Sequence, residues 1–418
     1  PHWRDELRPM LAEASAGNET FLPFGMGRSY GDVCLAASDR VLDMRPLSRF
    51  INADWQSGVV RAEAGVTLEE VLALAIPRGW FLPVTPGTKF VTLGGALAND
   101  VHGKNHHVKG TFGCHVNRIG LVRTDQPPVV CSREENAELF AATVGGLGMT
   151  GVIEWLEIQL APIGSSMINA THVRFDTLDE FFALSSELDG QYEYTVAWID
   201  CVAKRKSAGR GVYMAGDHAP EGPLTFNDRF KLNVPLTPPF SMINQLSLRL
   251  FNSADYRAHR SGRQDSLIDY EQFFYPLDRI LNWNRIYGPR GFQQYQSVIP
   301  MTNAADATRE MLDTISASRS GSFLAVLKLF GDVASPGLLS FPMPGVTLAL
   351  DFPEQGKKTA DLFARLDSIV RESGGRIYPG KDAHMTPSDF RRAFPGWERV
   401  QELADPCIES RFWQRVTS

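Results

Sequence analysis

The chain has 418 residues, too many for one ordinary hydrophobic core, so we expect two domains. Its 43% hydrophobic and 22% charged residues are typical of a folded globular protein and not of a disordered one. A net charge of -6, from 42 basic and 48 acidic residues, argues against a nucleic-acid-binding protein.

Two glycine-rich loops near the start of the chain predict a site for a large diphosphate cofactor. They span residues 23–32 and 86–96, and neither has the spacing of a Rossmann or Walker motif. Glycines let successive backbone N–H groups point into one concavity, which suits a pyrophosphate held between two loops. Either loop alone is also compatible with a surface turn.

The region from residue 21 to 162 predicts an α+β domain, because short β-rich runs such as residues 58–63 alternate with a few helices. The clearest helix spans residues 67–78. There Thr67 and Glu70 form a capping box ahead of an apolar stripe.

A second domain is predicted from about residue 163 to 375, beginning with a helix capped by Thr177. Strands at residues 292–296, 323–330 and 346–350 each have a face that carries polar side chains. Such a face is either solvent-exposed or a binding surface. On these faces lie Gln294, Gln296, Lys328, Phe330, Thr347 and Ala349.

Residues 233–250 are apolar but interrupted by prolines, so we predict a loop. Its apolar side chains would pack against the domain, an isoprenoid tail or a membrane surface, and the sequence leaves these alternatives open. A basic loop at residues 204–206, with Arg210, is either a solvated surface or a contact for anionic lipid. The last long helix is predicted at residues 361–372, ending at Gly374.

The five cysteines are dispersed without a C-x-x-C spacing, which favours free thiols in a reducing, cytoplasmic compartment and no zinc framework. They are Cys34, Cys114, Cys131, Cys201 and Cys407. We find no run of about 18 apolar residues that would predict a transmembrane helix. Residues 1–5 lack the basic-then-apolar pattern of a signal peptide.

Several motifs together resemble the FAD-binding domain of the vanillyl-alcohol oxidase superfamily. They lie at residues 25–32, 85–88, 91–96 and 99–107, and further similarity extends through residues 283–289, 294–296, 323–330 and 378–382. The resemblance implies an α+β fold in three parts. These are a two-subdomain PCMH-type FAD-binding domain (residues 1–163), a substrate-binding domain with an antiparallel sheet flanked by helices (164–375), and a C-terminal segment (376–418) that returns to the FAD-binding domain.

The resemblance also implies FAD bound without a covalent bond. Many oxidases of the superfamily attach FAD to a histidine in the first loop, where this chain has Tyr30. The positions that match FAD contacts are Gly25, Gly27, Arg28, Ser29, Tyr30, Gly31, Gly87, Thr88, Thr92, Gly94, Gly95, Asn99, His102, Gly103, Asn105, Ile153, Tyr378 and Lys381.

Flavin-dependent oxidation of an alcohol removes a hydride from carbon and a proton from oxygen, so the site needs a proton acceptor. Lys381, Tyr287 and His102 are the candidates. By resemblance, Lys381 contacts both substrate and flavin, either as the proton acceptor or as a positive charge beside the flavin. The sequence leaves both roles open, and His102 is also compatible with a structural hydrogen bond.

The histidines at positions 102, 106, 107 and 115 suggest a metal site at first sight. Glycines interrupt this stretch and no carboxylate-rich motif accompanies it, so we predict no metal. By resemblance, the substrate-binding residues are Lys104, Trp198, Gln294, Gln296, Lys328, Phe330, Thr347 and Ala349. Relatives commonly carry cysteine at Ala349 and asparagine at Thr347, and Trp198 is also compatible with the core.

Within the superfamily, the motifs resemble those of the flavin subunit of a lipid-linked sugar epimerase. This implies oxidation of a secondary hydroxyl of a polyprenylphosphoryl pentose, ribose to a 2-keto sugar, before reduction by a separate NAD(P)H-dependent partner. A peripheral contact with the inner membrane is compatible with such a substrate. The alternatives are a soluble alditol or aldonolactone oxidase and a non-catalytic flavin scaffold for a partner reductase.

Overall fold

The computed structural model describes residues 1–17, 19–204, 208–227 and 231–418. Helices and antiparallel sheets are both present, which confirms the predicted α+β class. Of the predicted basic loop, Arg205 and Lys206 lie outside the described residues. Arg210 donates to Asp200 through Nη2 at 2.7 Å, so this arginine belongs to an ion pair.

The strands, in chain order, are β1 (Leu22–Phe24), β2 (Val41–Asp43), β3 (Phe50–Asp54), β4 (Val59–Glu63), β5 (Trp80–Phe81), β6 (Val116–Val122), β7 (Val129–Ser132), β8 (Val152–Gln159), β9 (Ala161–Pro162), β10 (Met167–Phe175), β11 (Tyr194–Ile199), β12 (Gly211–His218), β13 (Leu232–Asn233), β14 (Arg263–Asp269), β15 (Ile280–Leu281), β16 (Phe292–Pro300), β17 (Ala325–Phe330), β18 (Gly345–Pro353) and β19 (Arg376–Ile377). The α-helices are α1 (Leu7–Ala16), α2 (Leu68–Ala75), α3 (Leu93–Ala98), α4 (His106–Lys109), α5 (Ala137–Thr143), α6 (Leu178–Leu188), α7 (Gln245–Ala258), α8 (Tyr270–Phe274), α9 (Ala304–Ser318), α10 (Lys357–Glu372), α11 (Pro387–Ala393), α12 (Trp397–Glu402) and α13 (Arg411–Thr417).

The first part of the chain builds a five-stranded antiparallel sheet in the order β3-β4-β8-β6-β7. The capping box before α2 is confirmed, because Thr67 Oγ1 accepts from Glu70 N at 3.2 Å and Glu70 Oε2 accepts from Thr67 N at 2.7 Å. The apolar stripe of α2 is buried with the sheet in one hydrophobic core. The second glycine-rich loop leads into α3, whose Leu93, Ala96 and Leu97 belong to the same core, whereas the first loop follows β1, which pairs in parallel with β2 in a separate two-stranded sheet.

The second part builds an eight-stranded antiparallel sheet in the order β14-β10-β12-β11-β17-β18-β16-β19. Helices α6, α9 and α10 pack against it. Thr177 caps α6 as predicted, since its hydroxyl accepts from Glu180 N at 3.2 Å. The predicted polar face of the sheet includes Gln294, Lys328 and Thr347.

Some predicted elements differ from the structure. The second part of the chain has strand β10 before the helix that Thr177 caps, and does not begin with that helix. The loop predicted at residues 233–250 gives way to α7 from Gln245, because the prolines end at Pro239 and Asn244 caps the helix through Leu246 N at 3.0 Å. Helix α10 begins at Lys357, earlier than predicted, since its first turn is exposed and carries no apolar stripe.

The C-terminal segment pairs with the N-terminal region. Phe21 bridges Ile408 in parallel, and Ala36 bridges Ser410 in antiparallel fashion. The predicted domain boundaries at residues 163 and 375 stay a prediction. Within the described ranges, no helix is both long enough and apolar enough to cross a membrane.

Candidate active site

The two glycine-rich loops lie against each other. A Cβ atom at Gly25 would lie 2.4 Å from Thr92 Oγ1, and Arg28 Nε donates to Phe90 O at 3.3 Å. Thr92 also caps α3, accepting from Gly95 N at 3.1 Å. Glycine is therefore required at Gly25, because a side chain there would push the loops apart.

A turn from the C-terminal segment covers the first loop. Tyr30 N donates to Gly380 O at 3.1 Å, and a Cβ at Gly31 would lie 1.5 Å from Asp382 O. Lys381 ends the 3₁₀ turn Pro379–Lys381, and its Nζ lies 4.1 Å from the centre of the Tyr30 ring. The fold thus brings together two predicted site residues that are far apart in the sequence.

The segment from Asn99 to Asn105 supplies buried polar atoms with no hydrogen-bond partner among the described residues. They are Asn99 Oδ1, His102 Nδ1 and Asn105 Oδ1. The amide nitrogens of Asn99 and Asn105 are held by backbone carbonyls at 3.0 and 2.8 Å. Because unpaired buried polar atoms are costly, this pattern indicates a site where a ligand supplies the missing partners.

The other predicted cofactor residues differ in how tightly packing constrains them. A Cβ at Gly103 would lie 2.8 Å from a backbone oxygen, and a Cβ at Gly94 would lie 3.0 Å from a side-chain carbon. A Cβ at Gly87 would have no atom within 4 Å. Tyr378 OH donates to Asn99 O at 3.2 Å. Gly27, Ser29 and Thr88 lie within the two loops, and Ile153 is buried in β8.

The polar face of the eight-stranded sheet lies against the segment that carries His102. Gln296 Nε2 donates to His102 Nε2 at 3.1 Å and to Thr347 Oγ1 at 3.2 Å. Lys328 Nζ donates to Gly103 O at 2.6 Å. One cross-strand row contains, in order, Trp198, Val326, Ala349 and Gln296. The structure therefore collects most of the predicted substrate residues on one surface.

Lys104 and Lys328 are two half-buried lysines, and no salt bridge pairs either of them with an acidic residue in the described part of the chain. Burial lowers the pKa of Lys104 to about 8. Burial, and then repulsion by Lys104, lowers the pKa of Lys328 to about 7. Lys104 Nζ lies 5.6 Å from the centre of the Phe273 ring. Two half-buried lysines without an acidic partner favour an anionic ligand.

Asp351 is a site residue that the sequence reasoning missed. It is 1% exposed, and Gln294 Nε2 donates to its Oδ1 at 2.5 Å. Burial raises the pKa of the Asp351 carboxyl to about 6, and the positive charge of Lys381 opposes that rise. The signal was available, because Asp351 is two residues beyond Ala349 on β18, on the same face as Thr347.

The three candidate proton acceptors differ in their protonation. Burial lowers the pKa of Lys381 to about 8, and Asp351 partly opposes that shift. Burial raises the pKa of the Tyr287 hydroxyl far above its usual range, so this group keeps its proton. Burial, with nearby cations, holds the pKa of His102 well below its usual value, and Nε2 accepts from Gln296. Lys381 is the candidate whose protonation changes near neutral pH.

Aromatic residues form the wall beside these groups. Tyr287 stacks on Phe292 at 4.4 Å between ring centres, and its buried OH has no partner among the described residues. Trp198 Nε1 donates to Phe323 O at 2.9 Å. Phe330 lies edge-on to His102, with 4.9 Å between ring centres.

The neighbouring histidines make hydrogen bonds to the backbone instead of converging. His107 Nε2 lies 3.1 Å from Tyr192 O, and His115 Nε2 lies 2.9 Å from Lys109 O. Among the residues that the structure describes, no group of three or more histidine, cysteine or acidic side chains is arranged to hold a metal.

Comparison with known proteins gives one family match and several relatives. The FAD binding domain model matches residues 1–132. The chain is 34% identical over 414 residues to decaprenylphosphoryl-beta-D-ribose oxidase of Mycolicibacterium smegmatis, covering 96% of this chain and 89% of that protein. It is 29% identical over 159 residues to L-gulonolactone oxidase of Mus musculus, covering 38% of this chain and 35% of that protein. It is 32% identical over 116 residues to delta(24)-sterol reductase of Homo sapiens, covering 28% of this chain and 22% of that protein.

Proposed function

The chain belongs to the decaprenylphosphoryl-β-D-ribose oxidase family of FAD-dependent oxidoreductases, and from this premise we propose that it oxidises a secondary hydroxyl of a polyprenylphosphoryl pentose. The product is a 2-keto sugar. A separate NAD(P)H-dependent reductase then reduces the keto sugar, which completes an epimerisation. A cytoplasmic location is part of the same proposal.

The residues at the site fit FAD. Gly25 lets two amide-rich loops approach each other, and the unpaired atoms of Asn99 and Asn105 offer hydrogen-bond acceptors beside them. When bound, FAD accepts the hydride that leaves the substrate carbon. We assign Tyr30 and Lys381 to the cofactor contact, because the turn that carries Lys381 closes over the first loop.

The observation that carries the proposed oxidation is the environment of Lys381. A half-buried lysine whose pKa is lowered to about 8 is partly neutral near neutral pH. Neutral Nζ accepts the proton that the substrate hydroxyl loses, and the carboxylate of Asp351 stabilises the resulting ammonium group. Tyr287, which keeps its proton, is a hydrogen-bond donor in this arrangement.

Lys104 and Lys328 support a phosphorylated substrate. Lys328 lies on the polar face of the sheet and donates to Gly103 O at 2.6 Å, and Lys104 is close enough to lower its pKa. A phosphodiester held there would supply the negative charge that this half-buried pair lacks. A neutral alditol or aldonolactone would leave the two cations uncompensated, so we rank a soluble-sugar oxidase second. The partial similarity to L-gulonolactone oxidase keeps it as the alternative.

Anaerobic mixing of the purified holoprotein with candidate substrates tests the proposal. We expect a prenylphosphoryl ribose to bleach the flavin absorbance band and a keto sugar to appear in equal amount. Bleaching by alditols or aldonolactones, but not by the prenylphosphoryl sugar, would favour the alternative enzyme. A flavin band unchanged by every sugar would instead indicate a scaffold for a partner reductase.

A further inference from the structure

An exposed apolar surface covers the loop between β13 and α7 and the outer side of α7. It consists of Leu236, Phe240, Met242, Leu246, Leu250 and Phe251, and we call it the apolar face. Leu236 and Phe240 are 77% and 70% exposed. A soluble monomer rarely exposes so many large apolar side chains in one short stretch, so this face indicates a contact with something apolar.

Helix α7 divides into two sides. Leu248, Asn252 and Tyr256 are buried and recur every four residues, so they anchor the helix to the domain. Leu246 and Leu250 are also four residues apart but lie on the opposite side, facing outward.

The loop before α7 is held in place by its backbone. Arg285 Nη1 donates to Val234 O at 2.9 Å and to Pro235 O at 2.7 Å. Met242 N donates to Ile286 O at 2.9 Å. The backbone bonds leave the side chains of Leu236, Phe240 and Met242 outside, so their exposure follows from a fixed loop conformation.

The apolar face is continuous with the wall of the candidate active site. Phe251 contacts Phe323 with 5.6 Å between ring centres, and Phe323 in turn contacts Tyr287 at 6.2 Å. The carbonyl of Phe323 accepts from Trp198. A partner on the apolar face therefore lies next to the aromatic wall of the candidate active site.

The charges around this face favour an anionic partner. Residues 232–254 contain no acidic residue, although the whole chain has a net charge of -6. Arg249 and Arg257 are exposed. Arg249 is three residues after Leu246 and Arg257 is seven residues after Leu250, so both arginines lie beside the exposed leucines of α7. Apolar side chains flanked by arginines are typical of a helix that lies in the interface of an anionic bilayer.

We propose that the apolar face docks the protein on the surface of an anionic phospholipid membrane and holds the adjoining aromatic wall of the candidate active site near it. This goes beyond the proposed oxidation, because binding to lipid requires no substrate. The membrane position would let a lipid-linked sugar reach the site while its apolar tail stays in the bilayer.

Co-sedimentation of the holoprotein with vesicles tests the docking. We expect binding to phosphatidylcholine vesicles that contain phosphatidylglycerol and weaker binding to pure phosphatidylcholine. The variant F240S/L246Q/L250Q is expected to bind at least about 10-fold more weakly, because the apolar contact with the bilayer is lost. The matched control L267Q/M301Q/L338Q, which changes three exposed apolar residues elsewhere, is expected to bind as the unchanged protein does.

Three results would overturn the proposal. Equal vesicle binding by the apolar-face variant and the control would exclude this face as the membrane contact. Binding only to vesicles that carry prenyl phosphate would assign the face to the substrate tail. A dimer in sedimentation velocity that the variant converts to a monomer would assign it to a second copy. Flavin reduction by a short-chain substrate, measured without vesicles, reports separately on the proposed oxidation.

Discussion

The Nζ atom of Lys381 lies 4.1 Å from the centre of the Tyr30 ring, which joins the C-terminal turn to the first glycine-rich loop. The Tyr30 ring therefore packs against the ammonium group of Lys381. This contact positions both residues. Tyr30 leads to a prediction about how FAD is bound, and Lys381 leads to one about the rate of flavin reduction.

FAD is expected to be bound without a covalent bond, because Tyr30 offers no imidazole. Acid precipitation of the holoprotein should leave a colourless pellet and a yellow supernatant. Cys34 is the thiol to control for, since its Sγ lies 3.8 Å from the carbonyl oxygens of Ser29 and Gly31. Burial raises the pKa of that thiol, which makes it a poor nucleophile. Colour that stays with denatured protein in both the unchanged chain and Cys34→Ala would contradict the prediction.

Lys381→Ala is expected to keep FAD and to reduce the flavin at least about 100-fold more slowly, the effect of losing a proton acceptor. Stopped-flow measurement of flavin reduction with the prenylphosphoryl sugar tests this. Lys358→Ala, on the exposed side of α10, is the matched control and should behave as the unchanged protein does. Reduction at the normal rate in Lys381→Ala would remove the lysine from the proposed mechanism.

Asp351 gives the reaction a predictable dependence on pH. The neutral amine is the active form of Lys381, so the rate of flavin reduction should rise with pH through about 8. The carboxylate of Asp351 raises the pKa of Lys381, and its removal in Asp351→Asn should therefore move this rise to lower pH. Tyr30, Tyr287, Cys201 and His102 keep their protonation through this range because burial holds their pKa values away from it. Lys104 and Lys328, with pKa values of about 8 and 7, titrate within it, so the test is the difference between the profiles of Asp351→Asn and the unchanged protein.

The comparison needs full pH profiles, because a lower rate alone does not separate an electrostatic role from a structural one. A uniform loss of rate in Asp351→Asn, with the profile unmoved, would show that Asp351 does not set the protonation of Lys381. The oxidation itself would still stand in that case.

The sequence predicted the structural features whose signals are local. The capping residue Thr67 and the alternation along β16 and β18 follow from spacing over a few positions. Asp351 was missed because the predicted strand ended at residue 350, whereas β18 continues to Pro353. The sequence analysis did not predict the start of α7, because prolines dominate the composition of the segment before it and the first turn depends on the Asn244 cap.

Contacts between distant residues could not be predicted from spacing. Arg415 in α13 is 383 positions from Asp32, to which it donates through Nε at 2.9 Å and Nη2 at 2.7 Å. Its Nη2 also donates to Asp382 at 3.0 Å, next to Lys381. Only the folded chain reveals that the last helix ties the first loop to the turn that carries the lysine.

Arg415→Ala is therefore expected to destabilise the protein by about 3 kcal/mol, because two acidic partners with little exposure lose their cation. FAD should also dissociate faster, since Asp32 and Asp382 hold the loop and the turn over the proposed cofactor site. Urea unfolding and the release of flavin fluorescence measure the two effects. Arg411→Ala, which removes an exposed pair with Asp39 from the same helix, should cost less than about 1 kcal/mol. Equal effects of the two variants would contradict the role of Arg415.

A substitution in the half-buried pair Lys104 and Lys328 distinguishes between the two proposed substrates. Lys328→Met keeps the length of the side chain and removes its charge, so it should raise KM for a prenylphosphoryl ribose by about 10-fold or more through the lost contact with the phosphoryl group. The same change should leave KM for a neutral alditol within about 2-fold, or improve it, because no anion is involved and a costly buried charge is gone. Steady-state kinetics with the two substrate classes measure the selectivity. An equal rise in KM for both substrate classes would indicate that Lys328 contributes to the shape of the site and not to the recognition of charge. The soluble-sugar oxidase would then be favoured over the proposed function.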